Sequence, residues 1–79
     1  MATIMADQVL DCTGLACPLP IIRTKKAVDA LTTGQVLKLI ATDPGSVPDV
    51  EAWTRRTGHA LLSAGMENGK HVFFIRKTR

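Results

Sequence analysis

Cys17 stands in the run Gly14-Leu15-Ala16-Cys17-Pro18-Leu19-Pro20, a thiol followed by two alternating prolines. A cysteine attacks as its thiolate, and the start of a helix is a backbone environment that favours the thiolate. There the unpaired N–H groups and the macrodipole amount to about half a positive charge. Downstream, Ile21, Ala27, Val28 and Leu31 recur at helical spacing between Arg23, Lys25, Lys26 and Asp29. Upstream, residues 9–11 read as a short strand and Gly14 as a turn. Proline is tolerated in a first helical turn, where its missing N–H has no intrahelical partner to lose. The spacing therefore predicts Cys17 at or just before the helix N-terminus; with Cys17 as the N-cap, Pro18 and Pro20 take the first and third helical positions. Leu19 N–H is then the nearest first-turn donor to the sulfur. Because Leu19 precedes a proline, it is biased away from helical dihedrals, so the regular helix can begin slightly later.

Other side chains offer less. A thioredoxin-type dithiol needs its cysteines three apart, and Pro20 occupies the second place. Cys12 lies upstream, across the turn, and reads as a small, partly buried residue at a strand end. A Cys12–Cys17 disulfide stays open as an alternative, since the Cα separation it requires is not specified by sequence. Asp11 is suited to an Asx-type hydrogen bond that orders the turn. It is a poor general base for Cys17, because a negative neighbour raises a thiol pKa. His59, His71 and the two cysteines match no zinc spacing, so no metal is expected. Asp43 reads as a turn residue.

The stretch 14–20, preceded by Leu10-Asp11, resembles the signature of the TusA/SirA-like family of small sulfur-carrier proteins. A second block agrees in order: Thr42-Asp43-Pro44, Asp49, Trp53, Gly58-His59, Leu61-Leu62 and Phe74-Ile75-Arg76-Lys77. The resemblance spans the chain from Val9 onward. It departs from the family pattern at Cys12, an extra thiol, and after Trp53, where some relatives carry a cysteine and this chain has Thr54. The resemblance implies a sulfur carrier that accepts sulfane sulfur as a persulfide on Cys17, with Asp11, Gly14, Pro18, Leu19 and Pro20 as the motif that positions the thiolate. No cofactor is implied beyond that covalent sulfur. The implied donors are a cysteine desulfurase or a rhodanese-like enzyme, and the acceptor a protein with a reactive cysteine such as a DsrE-like protein. The pathways it implies are tRNA thiolation, cofactor maturation or sulfur oxidation. Two rival readings are a Cys12/Cys17 redox protein and a regulatory or nucleic-acid-binding module that shares the fold.

Size and charge bound these readings. A chain of 79 residues makes one domain with a thin core. Residues 1–7 read as a flexible tail and 8–79 as the domain. No apolar run approaches the ~20 residues of a membrane span. Residues 1–7 lack the features of a secretory signal. Two cysteines without an export signal point to a reducing cytoplasm. The net charge is +3, and most of the basic residues fall in three groups, Arg23/Lys25/Lys26, Arg55/Arg56 and Arg76/Lys77/Arg79. The first group follows Cys17 along its helix and is a candidate docking surface for acidic partner proteins. With no interleaved aromatic platform, the composition argues against direct nucleic-acid binding.

These residues need a frame, and the patterning predicts one. A helix over 18–31 is followed by a turn in which Gly34 suits a C-terminal cap. A strand over 36–41 presents Leu37, Leu39 and Ala41 to one face and Val36, Lys38 and Ile40 to a wetter one. Ser46 suits an N-cap, with Asp49 in the acidic place of a capping box. The second helix offers Val47, Val50 and Trp53 to the core, with a Glu51–Arg55 pair on its surface, and ends at Gly58. Strands over 59–64 and 71–76 flank Asn68-Gly69, a hairpin turn. The order β-α-β-α-β-β gives an α+β fold, a two-layer sandwich with both helices on one face of a four-stranded mixed sheet.

Overall fold

Alternating apolar residues in the middle of the chain build the floor of the core. In the computed structural model, which describes residues 5–16 and 18–79, the elements are β1 (Gln8–Cys12), α1 (Leu19–Asp29), β2 (Val36–Ala41), α2 (Ser46–Thr57), β3 (Ala60–Glu67) and β4 (Lys70–Arg76). The strands form one sheet in the order β1-β2-β4-β3. β1 and β2 run parallel across the α1 connection, and β4 pairs antiparallel with both β2 and β3. Leu37, Leu39 and Ala41 are fully buried and cluster with Phe73 and Ile75 of β4, Val28 of α1, and Val50 and Trp53 of α2. Both helices therefore cover one face of a mixed sheet, as the patterning predicts. On the other face Lys38 is half-buried, its Nζ lying 5.8 Å from the centroid of the Phe74 ring. The methylene stem covers apolar surface while the ammonium faces the ring.

The helices differ from expectation in what they bury. The buried stripe of α1 is Pro20, Thr24 and Val28, with Ile21, Ala27 and Leu31 packed beside it. Thr24 enters the core because its Oγ1 donates to Pro20 O at 2.7 Å, which satisfies the hydroxyl inside the helix. Thr54 does the same in α2, donating to Val50 O at 3.0 Å. The expected capping box is displaced: Gly45 holds the N-cap of α2, and Ser46 lies inside the helix with its Oγ donating to Asp43 O. The Glu51–Arg55 pair does not form, whereas Lys25 and Asp29 pair on α1 at 3.6 Å. Gly34 does not cap α1. That helix ends at Ala30 in right-handed geometry, and Lys77 Nζ reaches back to donate to Leu31 O at 2.8 Å and Asp29 O at 3.2 Å. Gly34 instead donates its N–H to Lys77 O at 2.7 Å.

The expected ends that hold do so for backbone reasons. Gly58 caps α2 at φ 83°, a left-handed conformation that favours glycine, and its N–H donates to Thr54 O. Asn68 and Gly69 both have positive φ, the pattern of a two-residue hairpin turn. Such a turn carries the pairing to its last residues, so β3 runs to Glu67, opposite Lys70, three residues beyond the expected end. A bulge at Leu62 interrupts the β3–β4 register, and Leu62 is exposed. Asp7, placed in the tail by sequence, is bound to β2: its N–H donates to Val36 O, and its carboxylate accepts Val36 N–H, both at 2.8 Å. Among the described residues, no helix is long and apolar enough to cross a membrane.

His59 adds a pH-sensitive contact to this frame. Its ring lies 5.5 Å from that of Trp53, and its Nδ1 accepts the Thr78 N–H at 3.2 Å. Burial, with the charges of Lys77 and Arg79, holds its pKa below the ordinary value of 6.5. The fold therefore prefers neutral His59. Its contribution to stability is complete above about pH 6.5 and is lost as pH falls from there toward the lowered folded value. Urea midpoints of the wild type should decline more steeply from pH 7 to pH 5 than those of His59→Gln. Equal slopes would show that His59 does not couple to folding.

Candidate functional site

The candidate site is built on the turn that leaves β1. Asp11 accepts the Thr13 N–H at 2.9 Å and also the Thr13 hydroxyl through the same Oδ1. These two bonds, the hydroxyl first, hold the exposed Asp11 carboxyl below the usual range. Asp11 thus makes the Asx-type turn that its place in the sequence suggests. Gly14 follows at φ 82°, where a side chain would be strained. Leu15 N–H donates to Cys12 O at 3.1 Å and closes the turn, and the Leu15 side chain packs against the core. Gly14 N–H crosses to the β2–α2 connection and donates to Thr42 Oγ1 at 2.9 Å.

Beyond residue 17, Leu19 N–H donates to Ala16 O at 2.9 Å and Ile22 N–H to Pro18 O at 3.2 Å. Cys17 itself lies outside the described residues, so its expected N-cap position is tested only through its neighbours. Those neighbours shift the frame by one: Pro18 occupies the N-cap, and Leu19 and Pro20 the first two helical positions. Leu19 N–H, expected to face the sulfur, is engaged by the Ala16 carbonyl. Proline at the N-cap has no N–H, and the pre-proline bias of Leu19 is overcome by this tight turn. Pro20 is buried, while Pro18 and Leu19 are exposed.

The basic group after the motif is exposed as expected, with additions that the sequence reading missed. Arg23, Lys25 and Lys26 all face solvent, with Lys25 in its pair with Asp29. Leu19 is 45% and Ile22 47% exposed on the same helix, where positions 19, 22, 23 and 26 share a face. The signal was available: Ile22 falls off the core-facing helical stripe. Cys12 is fully buried, and burial pushes its thiol pKa up, against a smaller pull from Arg23. A concavity of about 360 Å³ is lined by Glu51, Thr54, Arg55, His59 and Leu61. It lies beside α2 and the start of β3. Ala60 pairs with Arg76 there, at the sheet end opposite the Cys12–Ala41–His71 row that borders the turn.

The two-layer frame thus sets an ordered turn, Asp11 to Leu15, ahead of a helix whose exposed face is apolar and basic. The family described as Sulfurtransferase TusA matches residues 8–77. The sulfur carrier protein TusA of Allochromatium vinosum is 53% identical over 72 residues, covering 91% of this chain and 95% of that protein. A putative sulfur carrier protein of Bacillus subtilis, YrkI, is 49% identical over 72 residues, covering 91% and 96%. A crystal structure of a SirA-like protein from Desulfitobacterium hafniense superposes with a TM-score of 0.78 at 23% identity, covering 91% of this chain and 99% of that one. The chain belongs to the TusA family of sulfur carriers.

Proposed function

We propose that the chain carries sulfane sulfur as a persulfide on Cys17 and delivers it to an acceptor thiol. The observation that carries this reading is the full burial of Cys12. Of two cysteines in a sulfur-carrier sequence, it leaves Cys17 as the one for exchange between proteins. In the loading step the Cys17 thiolate attacks the terminal sulfur of a donor persulfide, R–S–SH. A new S–S bond forms, the donor's S–S bond breaks, and the donor leaves as R–S⁻. Cys17–S–SH remains, with no net oxidation. An acceptor thiolate then attacks that terminal sulfur and expels the Cys17 thiolate, a step that a low thiol pKa assists.

The donor is a cysteine desulfurase or rhodanese-like enzyme, and the acceptor a protein with a reactive cysteine, such as a DsrE-like protein. The motif residues Asp11, Gly14, Pro18, Leu19 and Pro20 set the thiol's surroundings. Arg23 and Lys26, with the exposed Leu19 and Ile22, offer a partner an apolar strip edged by positive charge. That surface suits acidic proteins, with charge guiding approach more than adding affinity. No cofactor takes part besides the transferred sulfur, and the relay runs in the reducing cytoplasm, where thiols persist.

Intact-protein mass, taken after incubation with a cysteine desulfurase and cysteine, tests this reading. Wild type and Cys12→Ser should gain one sulfur that a thiol reductant removes, and Cys17→Ser should gain none. Sulfur on Cys17→Ser would overturn the assignment, as would a wild type that takes none from this donor or from a rhodanese with thiosulfate.

A further inference from the structure

We propose that Thr42 is a positioning residue for the chemistry of Cys17, an inference that rests on the carrier reading above. Thr42 lies in a different connection, 28 residues along the chain from Gly14, yet its Oγ1 accepts the Gly14 N–H at 2.9 Å. Without Thr42, that N–H would be left to solvent. The contact falls where the path of the motif is set. Gly14 has left the β1 ladder, its φ of 82° reverses the chain, and Cys17 follows three residues later.

Among the described residues the other hydrogen bonds of the turn are local, while the Leu15 side chain packs against the core. The Asp11–Thr13 bonds and the Leu15 N–H to Cys12 O bond span two or three residues. They shape the turn but do not orient it on the sheet. The Gly14–Thr42 bond is the long-range one among them. It fastens the turn to the β2–α2 connection, beyond Ala41, which pairs with Cys12. Asp43 and Ser46 brace that connection from the far side, with Ser46 N–H donating to Asp43 O at 3.0 Å. Thr42 therefore couples the two connections that emerge at one end of the parallel strands. Loss of its hydroxyl lets the motif swing about the end of β1 while the fold stays intact.

The geometry separates Thr42 from a residue that merely stabilises the domain. A positioning role predicts that Thr42→Val changes how readily Cys17 ionises, because a thiol's ionisation depends on the dipoles around it and a turn no longer held to the β2–α2 connection holds them less steadily. Alkylation of Cys17 should slow about fivefold at neutral pH, the size of effect one hydrogen bond gives. The midpoint of its pH profile should move upward, and the rate at high pH, where the thiol is fully ionised, should stay at the wild-type value. Thr42→Ser restores the acceptor oxygen and should restore the profile. Sulfur loading from a desulfurase should slow in parallel for the valine variant.

The experiment is the alkylation pH profile of the full chain by intact mass, for wild type, Thr42→Val and Thr42→Ser, with urea midpoints alongside. Thr42→Ala removes the same hydroxyl and replaces the valine variant if that one fails to fold. A wild-type midpoint in the hydroxyl-free variants, or a serine variant as impaired as valine, overturns the proposal. A wild type that takes no sulfur from any donor overturns the carrier reading instead, and the alkylation profiles still decide the role of Thr42.

Discussion

Phe73→Ala should cost about 3–5 kcal/mol, the range for removing a fully buried aromatic ring. Phe73 is 1% exposed at the centre of the helix-covered face, paired in register with Leu39 on β2 and Ala64 on β3. Val28, Val50 and Trp53 belong to the same cluster, so the lost ring leaves a space bordered by both helices. At about 0.05–0.15 kcal/mol per residue, a chain of 79 residues is stable by only ~4–12 kcal/mol, so the variant loses about a quarter or more. Phe74→Ala is the control. The next residue points to the helix-free face, is half-buried and meets Lys38, so its loss should cost much less, on the order of 1 kcal/mol. Urea unfolding of the two variants checks the assignment of faces. If Phe74→Ala proved the more damaging, the helices would lie on the wrong side of the sheet.

The second large effect is the protection of Cys12. In a Cys17→Ser chain the remaining thiol is 0% exposed, and its pKa is raised by burial, so both access and ionisation oppose reaction. Alkylation in native buffer should be on the order of a thousandfold or more slower than in urea, since it requires the core to open. The rate should rise with pH, as a raised thiol pKa demands. Intact mass against time, with and without denaturant, gives the ratio. Prompt labelling in native buffer would return Cys12 to consideration as a resolving thiol. Slow labelling leaves a Cys12/Cys17 redox cycle without a reachable second partner.

Much of this frame was legible because local and long-range requirements coincide. Strict alternation in β2 separates Leu37, Leu39 and Ala41 from Val36, Lys38 and Ile40, and the structure buries the first set completely. Gly58 and Asn68-Gly69 sit where the backbone needs positive φ. The misreadings arise where a polar group finds its partner in three dimensions. Thr24 and Thr54 carry no apolar signal, yet both are buried, because their hydroxyls bond back to carbonyls four residues earlier. Gly34 resembles a helix cap, but that task falls to Lys77, 46 residues beyond Leu31. At the site, the motif and its Asx turn could be read from neighbouring residues, whereas the Gly14–Thr42 bond could not. No short-range pattern announces a hydroxyl that serves another connection. The helix begins at Leu19, within the slightly later start that the sequence allows, after the turn that Ala16 O and Leu19 N–H close.

The strand order also has a consequence for how the chain is made. β4 is last in sequence but second from one edge in space, lying between β2 and β3. On a ribosome, therefore, β2 and β3 emerge with no partner between them, and the apolar row of β2 waits for residues 70–76. The carbonyls that end α1 wait longer still, for the Lys77 ammonium. Since long-range pairing must be closed before it is rewarded, the sheet assembles in a late, concerted step. Until then its inner surface is open to chaperones and to other nascent chains.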